Sequence, residues 1–142
     1  MKIGTGMLLV SMCAAGGATA EALKGNVSEY GIYSAERKLL QRTQTVPNER
    51  GVKFGLCYEI SGMEEDGSFM LVESLTHPPM QDARGVESTG YSVPRMYRFV
   101  DGTARGCLGY GFERDVPVAP GTWRFTISDG GVDVVAQEFV VR

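Results

Sequence analysis

Histidine is almost missing from this sequence: His77 is the only one. Any Ser-His-Asp set, Cys-His set or multi-histidine zinc site would have to be built around that single residue. A lone histidine in a proline-rich stretch reads more simply as a solvated or locally hydrogen-bonded side chain. A basic excess is missing too, with 14 Lys and Arg against 17 Asp and Glu and a net charge of −3. Nucleic-acid binders gather Lys and Arg to displace phosphate counterions, and no such cluster occurs here. No apolar run approaches the roughly 20 residues that a membrane-spanning helix requires. A Gly-x-Ser-x-Gly elbow, a Walker loop and a dinucleotide fingerprint are likewise lacking, so no cofactor is called for.

The first residues read as an export signal. Lys2 gives a short positive start, Met7 to Ala15 is apolar, and Ala18-Thr19-Ala20 ends in small residues. Cleavage is expected after Ala20, leaving residues 1–20 as signal peptide and 21–142 as one domain, periplasmic or secreted. Met12 occupies the place where a lipoprotein signal wants a small residue before Cys13, which disfavours a lipid anchor.

Helical periodicity is scarce; its one candidate, Ala35 to Gln41, reads either as a single turn or as a strand end running into a loop. The remainder reads as about seven strands divided by turn residues, the spacing of an all-β sandwich. They are expected at Val27–Ala35, Val52–Ile60, Ser68–Thr76, Pro94–Val100, Ala104–Phe112, Thr122–Ser128 and Val132–Val141. Phe54, Leu56, Tyr58 and Ile60 share one face of the second strand; Leu108, Tyr110 and Phe112 share one face of the fifth. Asp129-Gly130-Gly131 is a hairpin signal, because glycine accepts the positive φ that such turns demand. His77 to Ser92 reads as a long loop, since Pro78 and Pro79 cannot donate to a ladder. The predicted fold is an immunoglobulin-like antiparallel β-sandwich, with a small closed barrel as runner-up. Pro120-Gly121-Thr122-Trp123 resembles the corner before the sixth strand of such domains, with Trp123 standing where tyrosine is usual. Phe125 stands where antibody domains carry their second cysteine, so their inter-sheet disulfide is not expected.

Alternation that turns the aromatic rows inward forces Cys57 and Cys107 outward. They are the cysteines left after processing, and they fall on strands that lie side by side in a sandwich sheet. A disulfide within that sheet is expected, with free thiols or a metal pair with His77 as the alternatives. His77-x-x-Met80, with Met63, Met70 and Met96, offers imidazole and thioether ligands for copper, but the set is thin and methionine is ordinary core filler. Glu64-Glu65-Asp66 lacks the alternating spacing of a calcium loop and reads as a solvated turn. No metal site is assigned.

Tyr30-Gly31-Ile32-Tyr33, Arg50-Gly51-Val52-Lys53-Phe54-Gly55 and His77-Pro78-Pro79 resemble a bacterial family, domain-of-unknown-function family 3859. Gly109-Tyr110-Gly111-Phe112-Glu113, Pro120 to Phe125 and Glu138-Phe139-Val140-Val141 continue the likeness to the C-terminus. The resemblance implies an exported single domain and supplies no activity or catalytic residue.

The favoured function is a non-enzymatic binding module with a protein or cell-envelope partner. Its expected surface is the 77–92 segment, carrying His77, Pro78, Pro79, Met80, Arg84 and Tyr91. The alternatives are a hydrolase inhibitor, using the same proline-stiffened segment, and a hydrolase with carboxylates drawn from distant strands.

Overall fold

The computed structural model describes residues 22–81, 84–112 and 118–142. The export-signal reading lies outside the described residues. The strands are β1 (Lys24–Tyr33), β2 (Leu39–Gln41), β3 (Thr45–Val46), β4 (Phe54–Ser61), β5 (Gly67–Gln81), β6 (Glu87–Phe99), β7 (Thr103–Tyr110), β8 (Gly121–Asp129) and β9 (Val132–Val141). They form a four-stranded sheet, β2-β1-β4-β7, and a five-stranded sheet, β3-β9-β8-β5-β6. Every pairing is antiparallel except β3 with β9. No helix long and apolar enough to cross a membrane occurs among the described residues.

The expected β-sandwich is therefore present, with two short strands added. One of them places the Ala35 to Gln41 stretch: a turn closed by the Arg37 N–H on the Ser34 carbonyl at 2.9 Å leads into Leu39–Gln41, which is β2, paired with the end of β1. The inward rows build the core as alternation requires. Phe54, Leu56, Tyr58 and Ile60 of β4 face Leu71 and Leu75 of β5, Trp123, Phe125 and Ile127 of β8, and Phe139 of β9. Phe54 holds the centre, with ring centroids 5.4 Å from Trp123, 6.0 Å from Phe125 and 5.1 Å from Phe139, all near perpendicular. That edge-to-face geometry suits the ring quadrupoles.

The 77–92 segment is not a loop. β5 runs on to Gln81 and β6 begins at Glu87, so most of it is the far part of a long hairpin. The ladder pairs Thr76 with Gly90 and resumes at Met80 with Ser88. The intervening bulge takes up His77, Pro78 and Pro79, so the prolines' missing donors fall where no ladder bond is formed. β6 also runs through Pro94, opposite Val72. As the last strand of its sheet it has a free side, and Pro94 is tolerated with its nitrogen turned there.

Phe112 departs from its expected face. Gly111 has φ +92, in the left-handed region, and this breaks the alternation after Tyr110. Phe112 consequently lies against Tyr33 on the outer side of the four-stranded sheet, over the space that a side chain at Gly109 would fill.

One turn decides where the functional space lies. Asp101 (φ 53) and Gly102 (φ 77) form a tight reversal bridged by Val100 and Thr103, and Asp66 Oδ1 accepts the Asp101 N–H at 2.8 Å. This reversal passes the chain from β6, the edge of one sheet, to β7, the edge of the other. The two edges diverge from it.

Candidate functional site

A cleft of about 780 Å³ opens between the diverging edges of β6 and β7, beside a smaller space of about 260 Å³ that reaches Tyr58, Tyr97 and Ala104. Its inner wall holds Leu108 and Tyr110 of β7 with Tyr91 and Arg95 of β6, and Glu73 lies at its base. Its other lining residues include Tyr33, Arg37, Cys57, Gly109 and Phe112, which belong to the outer side of the four-stranded sheet. One continuous cleft thus touches both faces of β7 and passes around its edge.

Glu73 is the unusual residue. Alternation along β5 places it in the inward row with Phe69, Leu71, Leu75 and His77, and it is only 8% exposed. A carboxylate in that position needs partners. The β5–β6 register supplies them, because Glu73 stands opposite Val93 and diagonal to Tyr91 and Arg95. Oε1 accepts the Tyr91 hydroxyl at 3.2 Å, and Oε2 accepts the Tyr97 hydroxyl at 3.3 Å. Arg95 Nε approaches Oε2 at 3.2 Å while the rest of its side chain remains largely exposed. Burial, then the Glu73 charge, pushes the Tyr91 hydroxyl up to about 12. The same two causes raise Tyr97 and Tyr58 above the ordinary phenol range. These phenols are protonated donors at neutral pH. Arg95 spends Nε on Glu73 and keeps its terminal nitrogens unpaired among the described residues.

On the outer side, Arg37 lies over the Phe112 ring, its Cζ 5.3 Å from the centroid. Phe112 in turn lies 6.1 Å from Tyr33, whose hydroxyl is 3.9 Å from Cys57 Sγ. Burial raises the Tyr33 pKa, with a hydrogen bond to Glu29 adding to it. Cys57 and Cys107 are a directly opposed pair of the β4–β7 ladder and form the expected disulfide, with Cα atoms 3.9 Å apart.

The structure disperses the six residues expected at the 77–92 surface. Tyr91 lines the cleft. His77 is buried, stacked 4.5 Å from Trp123, and its Nδ1 donates to the Pro78 carbonyl at 2.7 Å. Met80 packs against the core and accepts a long contact from the Tyr110 hydroxyl at 3.9 Å. Pro78 covers Gly121, while Pro79 and Arg84 are exposed. The copper set is not assembled: His77 points inward, and Met70 and Met96 oppose each other as exposed residues of β5 and β6. No group of three or more His, Cys, Asp or Glu side chains that could hold a metal occurs among the described residues. The cleft lining contributes one carboxylate, Glu73, so a glycosidase pair is not formed among the described residues. Glu73, Arg95 and Tyr97 do not stand out as site residues in the sequence, although a charged residue within the apolar alternation of β5 is the signal for the first of them.

The corner resemblance holds in detail. The Trp123 indole N–H donates to the Ala119 carbonyl at 2.8 Å, as a corner tyrosine hydroxyl would bond to upstream backbone. Two such sheets, this corner and the β4–β7 pairing define an immunoglobulin-like β-sandwich. The chain belongs to the family described as Domain of unknown function (DUF3859), whose model matches residues 24–141. It is similar to an immunoglobulin-like protein from Pseudomonas aeruginosa, 25% identical with a TM-score of 0.67, over 87% of this chain and 99% of that one. It is also similar in fold to part of the alkylpurine DNA glycosylase AlkC from Pseudomonas fluorescens, at 11% identity and TM-score 0.48, over 84% of this chain and 30% of that one. A β-glucosidase from Listeria innocua gives 11% identity and TM-score 0.49, over 84% and 16% of the two chains. No match is found among curated proteins.

Proposed function

We propose that this protein is an exported, non-enzymatic binding module that holds a protein or cell-envelope partner in the cleft between β6 and β7. The observation that carries the reading is the state of the cleft's polar groups. Glu73 is fully engaged by Tyr91, Tyr97 and Arg95, so it is spent on fixing the arginine rather than offered as a base. A guanidinium fixed at Nε, beside aromatic walls at Tyr91 and Tyr110, is built to bind and orient. The lone histidine, stacked on Trp123 with Nδ1 bonded to backbone, supplies no acid–base partner to the cleft. Export is supported by the layout of residues 1–20 and by a disulfide that persists in oxidising compartments.

Site-specific photocrosslinking in producing cells tests this. A benzoylphenylalanine replacing Tyr91 should give discrete adducts, and one replacing the exposed Val132 outside the cleft should not. Adding Arg95→Gln should weaken the Tyr91-site adducts. Equal labelling from both positions, indifferent to Arg95, would show that the cleft is not the binding surface.

A further inference from the structure

The short Cα separation of Cys57 and Cys107, 3.9 Å, fixes which way the backbone of β7 points. In an antiparallel pair, directly opposed residues with such close Cα atoms are the non-hydrogen-bonded kind, whose N–H and C=O groups turn away from the partner strand. Cys107 therefore directs its backbone polar groups away from β4. By alternation Arg105 and Gly109, opposite Glu59 and Gly55, do the same. β7 is the last strand of its sheet, so these groups meet no ladder partner among the described residues. Both other faces of that edge are already built as walls of one cleft.

The two outer edges that meet at the 100–103 turn are treated differently. β6 carries Pro94 in mid-strand, which removes a donor and blunts its edge. β7 carries no proline, and Arg105, Cys107 and Gly109 are exposed. Guanidinium groups flank it on both faces. Arg37, on the outer face, has only the Phe112 ring as a side-chain partner among the described residues. Arg95, on the inner face, is tied only through Nε. Glu73 offsets the charge of Arg95 and Glu59 that of Arg105, so what this rim offers an anion is the Arg37 guanidinium and the terminal N–H groups of Arg95.

Building on the cleft reading above, we infer that the free edge of β7 accepts an extended, acidic peptide segment as an added strand. Backbone groups of Arg105, Cys107 and Gly109 pair with the segment. Successive side chains of an added strand point to opposite faces, so carboxylates at neighbouring positions reach Arg95 on the inner side and Arg37 on the outer. Tyr91 and Phe112 flank the same two positions.

The test is amide exchange and chemical-shift mapping of the ¹⁵N-labelled protein with three synthetic probes. The first is an acetylated octapeptide of valine–aspartate–aspartate–threonine repeats. The second replaces each aspartate by lysine, and the third keeps the acidic sequence but is N-methylated at alternate residues. The acidic peptide should slow exchange at Arg105, Cys107 and Gly109 and shift Tyr91 and Arg95. The lysine and N-methylated probes should do neither. Replacing both guanidinium groups, Arg37→Gln with Arg95→Gln, should weaken the acidic peptide about tenfold or more. Arg105→Pro, which removes an edge donor and the ion pair with Glu59 but no backbone bond to β4, should abolish binding, whereas Arg105→Gln, which removes the ion pair alone, should not; if the proline variant does not fold, the N-methylated probe makes the same point.

Shifts at Tyr91 and Arg95 without protection of the edge amides would overturn the added strand while leaving the cleft reading standing. Equal binding of the lysine peptide, or no binding of the acidic one at millimolar concentration, would also overturn the inference. So would edge amides already protected in a dimer, since the occupant would then be a second copy of the chain.

Discussion

Cys57 and Cys107 face each other across the β4–β7 ladder with their Cα atoms 3.9 Å apart, bonded on the outer side of the four-stranded sheet. The bond braces two neighbouring strands rather than the two sheets, and it lies beside the cleft that wraps the β7 edge. It ties together the strand that carries Phe54, at the centre of the core, and the strand proposed to recruit a partner.

The intact mass of the purified chain should be two hydrogens lower than the reduced form, with no alkylation of these cysteines before reductant is added. Replacing both residues, Cys57→Ser with Cys107→Ser, opens a loop of sequence separation 50, worth up to about 4 kcal/mol by the chain-entropy argument. Urea unfolding should show that loss as a lower midpoint. A variant as stable as the parent would mean that the bond constrains little.

The tyrosines around Glu73 give the protein an alkaline limit. Burial, then the Glu73 charge, raises Tyr91 from the usual 10 to about 12. Because the folded value lies above the unfolded one, this contribution is complete below pH 10 and is lost as pH rises toward 12. Stability should therefore fall across that window, while phenolate absorbance at these sites appears later than for free tyrosine. Glu73→Gln removes the second cause and leaves the first, so the Tyr91 midpoint should drop yet remain above 10. A midpoint unmoved by Glu73→Gln would contradict the Tyr91–Glu73 coupling.

Gly121 joins the corner to the hairpin bulge. Its φ is +129, and a Cβ there would stand 2.6 Å from Pro78 Cγ. Gly121→Ala should cost about 1–3 kcal/mol in urea unfolding. Removing the clash with Pro78→Ala should restore only part of that, because the backbone conformation still disfavours a side chain. Full restoration would mean that the steric contact alone sets the cost.

Strands with clean period-two rows were legible in the sequence: β4, β7 and β8 fall where alternation puts them, and Gly130 and Gly131 take the positive φ expected of their hairpin. The disulfide followed from the same alternation, since rows that turn Phe54 and Leu108 inward leave the cysteines outward. The 77–92 hairpin was not legible, because two prolines forbid a regular ladder but not a bulge that excludes them. Phe112 was misplaced because one left-handed residue, Gly111, reverses the faces beyond it. The cleft was only partly visible. Tyr91 stands out through its segment, but its partner Glu73 is 18 residues away, and register alone brings it, Arg95 and Tyr97 together. An acidic residue between Leu71 and Leu75 was the local sign that something across the sheet had to receive it.

The openness of the β7 edge is the claim on which the binding account stands, and residue-by-residue hydrogen exchange of the free protein tests it most directly. The expected pattern alternates along the strand. Gly106 and Leu108, turned toward β4, should exchange slowly, while Arg105, Cys107 and Gly109, turned toward the cleft, should exchange fast. Uniform protection of all five amides, or protection of the second set alone, would contradict the account, because the edge proposed to receive a partner would already be occupied.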